Sequence, residues 1–270
     1  MSISVVIPNY NNERFLNKCL ESVLSQSIVI DEIIVVDDCS KDASRDIIKD
    51  FALKNPNIKP IFLEKNGGVS HARNVGISAA TSEYVTTLDA DDFYYESTKL
   101  EKELDVISHH PDKSVVAYSK IVYCDENDNI IRKLDYPKNE YFQGDILLPL
   151  LSESITKTLM RDCVFSKELA IKSGLYNEKM CLFEDYDFLI RLAKNAEFYC
   201  NFDYGTAYRQ KNFGLSQRSY EEIRSTKEAI MSAYYSDLTA EQQKKVNKMK
   251  SMKNVRRFKN KINEILYNMR

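Results

Sequence analysis

The first ninety residues contain four short β-like runs, Ser4–Ile7, Ile33–Val36, Ile58–Leu63 and Tyr84–Leu88, separated from one another by single helical patterns. Mostly apolar runs of this length suit strands covered on both faces. Between the first two, Phe15, Cys19 and Val23 recur every four residues, as do Leu16, Leu20 and Leu24. Ile47, Ile48 and Phe51 mark a second helix. Ala72, Val75, Gly76 and Ala79, after the breaker Gly67-Gly68, mark the inner face of a third. Strand and single helix in alternation make βαβ units, hence an α/β fold with a Rossmann-like, mostly parallel sheet flanked by helices. In open sheets of this kind ligands gather at the carboxyl ends of the strands. Asn9, Asp38 and Asp89 all fall there. Each of them singly is also an ordinary helix cap or turn former.

Beyond residue 114 the pattern loosens. Val115–Tyr118 and Ile121–Cys124 read as two strands, and the run Asp125 to Asn129 as a polar turn before Ile130-Ile131. A helix opening near Glu184 should turn Phe188, Leu189 and Leu192 inward, and after Ser219 the chain is helical and polar. This divides the chain into an α/β body over 1–217, with a regular half (1–92) and a looser half (93–217), and a helical basic extension over 218–270.

Charge separates that extension from the rest. The 270 residues carry a net charge of -2, which disfavours a nucleic-acid binder. Residues 244–270 nevertheless hold ten Lys/Arg and one acid, Glu264. Apolar Val246, Met249, Met252, Val255, Phe258, Ile262, Ile265 and Leu266 are interleaved at helical spacing. A basic amphipathic helix of this type suits peripheral contact with an anionic membrane surface. Packing on the α/β body or a helix pair in a dimer fits the same pattern. No 18-residue apolar run exists, and Met1–Tyr10 has no export signature. The six cysteines form no CxxC pair. The expected location is cytoplasmic, with reduced thiols, at most peripheral to the inner face of the plasma membrane.

Four segments carry chemistry. Asp89-Ala90-Asp91-Asp92 follows a strand, and carboxylates at this spacing can face one hard cation such as Mg²⁺ or Mn²⁺ beside substrate phosphates. Asp37-Asp38 can accept from a base imide or a ribose, or cap the following helix. In Asn66–Asn74 the Gly pair opens a helix whose N-terminus favours anions, and Arg73, one turn in, can reach a diphosphate. In Phe183–Asp187, Asp187 and Arg191 have the i,i+4 spacing of a surface pair, whereas Asp185 shares the face of Leu189 and Leu192. An acid heading an apolar face does chemistry, caps something internal, or simply stabilises a first helical turn.

Taken in order, SVVIPNYN (4–11), EIIVVDDCS (32–40), NGGVSHARNVGI (66–77), YVTTLDADD (84–92) and FEDYDFLIRL (183–192) resemble glycosyltransferase family 2. The resemblance spans roughly residues 2–215. It implies the GT-A fold, a nucleotide-sugar donor, inverting chemistry and a metal-dependent, hexosyl-type transfer assisted by Mn²⁺ or Mg²⁺. It also implies roles. Pro8, Asn9 and Tyr10 match the loop that contacts the nucleoside, and Asp38 the acid that reads uracil in UDP-sugar users. Arg73 matches the basic residue near base and diphosphate, Asp89 the acid near the ribose, and Asp91 the metal ligand of the Asp-any-Asp motif. Asp185 matches the general base, with Glu184 beside it near the acceptor. The implied partners are a UDP-sugar and a glycan or lipid-linked acceptor, in surface polysaccharide synthesis.

The chain departs from the family where a His often follows Tyr-Arg. Here the stretch is Tyr208-Arg209-Gln210-Lys211, which leaves Arg209 or Lys211 as the candidate leaving-group cation. A nucleotidyltransferase would need a Gly-rich loop after the first strand, where this chain has PNYNNE, and no GxGxxG supports a dinucleotide oxidoreductase. An inactive homologue serving as a nucleotide-sugar-binding scaffold is the non-enzymatic alternative.

Overall fold

The computed structural model describes residues 1–112, 114–152, 162–210 and 219–252. β1 (Ile3–Asn9), α1 (Glu13–Leu24), β2 (Glu32–Asp37), α2 (Ser44–Lys54), β3 (Ile58–Phe62), α3 (Val69–Ala79) and β4 (Tyr84–Thr87) follow the alternation expected from sequence. They form a parallel sheet in the order β3-β2-β1-β4, with β1 and β2 buried throughout. α3 lies tight on it. A Cβ at Gly76 would stand 2.3 Å from a methyl of Val6, so only glycine allows this approach. The buried residues of α3 are Ser70, Ala72, Arg73, Gly76 and Ile77, while Ala79 is exposed. The inner face is therefore rotated from the expected one, and the rotation brings Arg73 inward.

The second half runs through β5 (Phe93–Tyr94), α4 (Lys99–Ser108), β6 (Val115–Cys124), β7 (Ile130–Lys133), β8 (Gln143–Gly144) and α5 (Leu147–Leu151). β9 (Phe165–Ser166), α6 (Lys167–Lys172), α7 (Glu184–Ala193), β10 (Glu197–Arg209), α8 (Tyr220–Ser236) and α9, helical over 240–252, follow among the described residues. β5-β10-β6-β7 make a second, mixed sheet, with β8 on the side of β10 and β10 parallel to β6. The sheets meet where Ala117 and Val164 exchange two backbone hydrogen bonds of 2.9 Å, next to β9, which pairs antiparallel with β4.

One ten-residue strand, β6, replaces the two strands expected at 115–118 and 121–124. The polar Ser119-Lys120 pair between them does not break it because both side chains are satisfied. Ser119 donates to buried Glu103 at 2.5 Å, and Lys120 lies 4.2 Å from the Tyr204 ring and 2.9 Å from Asp135. α7 buries Asp187, Phe188, Ile190, Leu192 and Ala193, with Leu189 half-buried. The start of the C-terminal extension is helical as expected, and it packs down. Leu238 and Val246 join the main apolar core, with Ile230, Tyr234 and Tyr235 against it. The expected helix at 255–267 lies outside the described residues. Among the described residues, no helix is long and apolar enough to cross a membrane.

Candidate functional site

The carboxyl ends of β1, β2 and β4 open on one edge, and each candidate residue there has a definite partner. Pro8 lies inside β1, paired with Val36. Asn9 is 1% exposed and donates to Asp37 at 3.0 Å and to the Ser40 hydroxyl at 3.2 Å. Tyr10, by contrast, is 46% exposed. Asp37 is wholly structural: it accepts from Asn9, from the Ser40 amide at 3.1 Å and from Arg45 at 2.6 Å. Asp38 holds the glycine loop. Its two oxygens accept from the amides of Gly67 (2.7 Å) and Gly68 (2.8 Å), and its carbonyl accepts from the Asn66 side chain at 3.2 Å. The loop needs glycine at Gly68, whose φ of 90° opens α3. Asp38 is itself only 2% exposed, with each carboxylate oxygen keeping a second acceptor direction.

Arg73 is not the solvated side chain of a surface loop. It is 5% exposed and donates to Asp89 at 2.6 Å and to Glu184 at 3.0 Å, with its guanidinium 5.0 Å from the Tyr176 ring. Burial pulls the guanidinium pKa down, but the negative charges of Asp89 and Glu184 outweigh it, holding Arg73 above its ordinary range. Burial also pushes the Tyr176 hydroxyl up, to about 12. Tyr176 carries no sequence signal. A tyrosine in an unpatterned loop shows its role only when the fold sets it under Arg73.

Asp89, Asp91 and Asp92 bring carboxylate oxygens within 4.8 Å of one another. Asp92 is the buried member and accepts from the Arg209 amide at 2.8 Å. This all-oxygen donor set fits a hard divalent cation that also binds diphosphate, so the residues suit the Mn²⁺ or Mg²⁺ implied by the sequence.

Arg209 does something other than expected. Its side chain is 1% exposed. It bonds the Asp91 carbonyl (2.7 Å), the Asp125 carbonyl (2.8 Å) and the Asp128 carboxylate (2.6 Å), with its guanidinium 4.4 Å from the Phe15 ring. It bolts the acidic loop to the β6–β7 turn and is not presented to a leaving diphosphate. Lys211 lies outside the described residues.

On the far side, Phe183 takes a left-handed conformation (φ 61°) and starts α7 without a side-chain cap. Glu184 reaches Arg73, and Asp185 is half-buried and accepts from the Tyr186 amide at 2.7 Å. Arg73, Thr87, Asp162, Tyr176, Asp185 and Phe188 border a cavity of about 30 Å³, room for water beside Asp185. Asp187 corrects the sequence reading. It is 7% exposed, bonded to Arg191 at 2.7 Å and to the Tyr234 hydroxyl at 2.6 Å, so it is no surface pair.

The sequence model of the family described as glycosyl transferase family 2 matches residues 4–169. The chain belongs to this family. An uncharacterized glycosyltransferase of Haemophilus influenzae is 37% identical over 141 residues, covering 50% of this chain and 55% of its own. TuaG of Bacillus subtilis, named for teichuronic acid biosynthesis, is 40% identical over 103 residues, covering 38% and 40%. The chain thus spans about half the length of the curated relatives it matches. Among solved structures, residues 1–349 of S. aureus TarS in complex with UDP-GlcNAc superpose with a TM-score of 0.72 at 21% identity. That superposition covers 96% of this chain and 73% of the other. The fold is GT-A: an α/β, parallel-rich sheet flanked by helices.

Proposed function

We propose that this chain is an inverting, metal-dependent glycosyltransferase that moves a hexosyl-type sugar from a UDP-sugar to a hydroxyl of a glycan or lipid-linked acceptor. The observation that carries the reading is Arg73, one buried guanidinium joining the acid after β4 to the first acid of α7 at the ligand edge of the sheet. Family membership supports glycosyl transfer, and the UDP-GlcNAc complex of TarS supports a uridine donor. The name of TuaG supports surface polysaccharide synthesis.

In this reading Tyr10 and Asp38 receive the nucleoside, with Pro8 and Asn9 fixing the strand end that presents them. Asp89 lies near the ribose. Asp91, with Asp89 and Asp92, would hold Mn²⁺ or Mg²⁺, and such an ion would supply positive charge to neutralise the departing diphosphate. Glu184 lies beside the acceptor. Asp185 takes the proton from the attacking hydroxyl as that oxygen bonds to the anomeric carbon and the bond to diphosphate breaks. One base and no enzymic nucleophile give inversion. The basic extension, cytoplasmic in this reading, meets the inner face of the membrane or a second copy of the chain.

The test is UDP release from a panel of UDP-sugars with Mn²⁺, with the product anomer read by NMR. A binding scaffold releases no UDP, and a retained anomer overturns the mechanism.

A further inference from the structure

The C-terminal extension reaches the helix that carries Glu184 and Asp185. In α8, the Tyr234 hydroxyl donates to one oxygen of Asp187 at 2.6 Å. The other oxygen accepts from Arg191 Nε at 2.9 Å and Nη2 at 2.7 Å, while Arg191 Nη1 donates to the Ser173 carbonyl. The Asp187 amide donates to the carbonyl of Phe183, the left-handed residue that opens α7. Asp187 is thus tied through its backbone to the start of the helix and through both carboxylate oxygens to structure outside the first turn.

This arrangement has a physical consequence. The first amides of a helix have no intrahelical partner, and an uncapped first turn frays. α7 has no side-chain cap, yet its first turn holds Glu184, Asp185 and Asp187 together. Three neighbouring acids there favour the dipole but repel one another. Glu184 is held by Arg73, and Asp187, neutralised by Arg191 and fixed by Tyr234, anchors the other end of the turn. Lys194 and Asp237, 3.3 Å apart, hold α8 against the other end of α7.

We propose that Tyr234 is a positioning residue: its hydroxyl fixes Asp187, and through it the turn of α7 that aims Asp185 at the acceptor. The inference rests on the reading of Asp185 as the base. It makes the start of the extension part of the machinery for transfer.

The test uses the full chain and the UDP-sugar that the wild type hydrolyses fastest among UDP-glucose, UDP-galactose, UDP-GlcNAc and UDP-GalNAc. In Tyr234→Phe, UDP affinity should stay within twofold, while UDP release at saturating donor falls about tenfold, a loss in kcat and not in KM. Amide exchange over 184–187 should quicken about tenfold, with β1 and α3 unchanged. Tyr234→Phe added to Asp187→Ala, which removes the acceptor, should cost no further rate, as expected for two members of one contact. A kcat within twofold of wild type in Tyr234→Phe, or unchanged exchange at 184–187, overturns the inference. Asp185→Asn separates the two failures. If it is inactive while Tyr234→Phe is fully active, positioning fails and the base stands. If it retains full rate, the base reading fails, and the inference falls with it.

Discussion

Asp89 and Glu184 share one guanidinium. They come from the end of β4 and the start of α7, yet each lies within 3.0 Å of a different Arg73 nitrogen. The side of the sheet assigned to the donor and the helix assigned to the acceptor are therefore joined by a single buried side chain, 6% exposed. Replacing it with methionine leaves two carboxylates in a pocket that burial makes expensive for charge. Arg73→Met should lower unfolding free energy by about 3–5 kcal/mol, read by urea denaturation, and abolish UDP binding. Arg73→Lys lacks the fork that spans both acids and should recover only part of the stability.

In the proposed reading Asp38 has two roles with one carboxylate. Its bonds to the amides of Gly67 and Gly68 order the loop before α3, and the uracil imide would add a further donor. Asp38→Ala should weaken UDP binding by about 1–3 kcal/mol in calorimetry with Mn²⁺ present. Its amide exchange should also rise at 66–68. Tighter binding of GDP than of UDP by the wild type would contradict the uridine assignment.

The first half of the fold is legible in the sequence because its signals are local. Apolar runs give β1, β2 and β4, and four-residue spacing gives α1. β10 is not legible. Its register shifts between Cys200 and Tyr204, and Phe202 has a φ of 64°, so alternation is lost midway through thirteen residues. The site divides in the same way. Asp38, Asp89 and Asp91 sit at strand ends that periodicity locates. The burial of Asp187 is not legible, because an i,i+4 spacing to Arg191 looks the same whether that face meets water or, as here, α8. Nor does the sequence decide between Arg209 and Lys211, because the Arg209 partner Asp128 lies in a turn that no sequence spacing connects with it.

The extension makes a prediction about membranes that its packing sharpens. Val246 is fully buried, so truncation must spare α9 to leave the folded body intact. Full-length protein should co-sediment with anionic vesicles at low salt, since each Lys/Arg near such a surface contributes about 1 kcal/mol. A chain ending at Met252, which lacks Lys253, Arg256, Arg257, Lys259, Lys261 and Arg270, should not. Equal sedimentation of both would rule out membrane contact through these residues. A concentration-dependent dimer found only at full length would assign them to self-association.

Glu32 sets an acid limit on the sheet. Burial alone would raise its pKa, but Lys59, the Thr81 amide and the Ser4 hydroxyl outweigh burial and lower it to about 2, against an ordinary 4.5. A lowered carboxylate stabilises the fold above its unfolded pKa and loses that contribution as pH falls through the folded value. The contribution is about 2–3 kcal/mol, nearer the lower figure because Lys59 is half-exposed and screened by salt. Between pH 5 and about 2 the wild type should therefore lose stability faster than Glu32→Gln, in urea titrations at several pH values. Parallel pH profiles for the two proteins would contradict this.

The last prediction sets three acids against one another. Asp91→Ala should lose metal-dependent UDP binding together with rate. Asp185→Asn should keep UDP affinity near wild type and lose about 10²–10⁴ in turnover, because a base touches the acceptor hydroxyl and not the nucleotide. Asp187→Asn is not the harmless control that its spacing suggests. It removes the charge that Arg191 neutralises and weakens the bond from Tyr234, both of them buried or half-buried. Asp187→Asn should cost about 1–3 kcal/mol in stability and an intermediate share of turnover. What separates the residues is which quantity each one moves: Asp187→Asn loses stability and rate together, Asp185→Asn rate alone. Full turnover in Asp185→Asn with an inactive Asp187→Asn would move the base from Asp185 to Asp187.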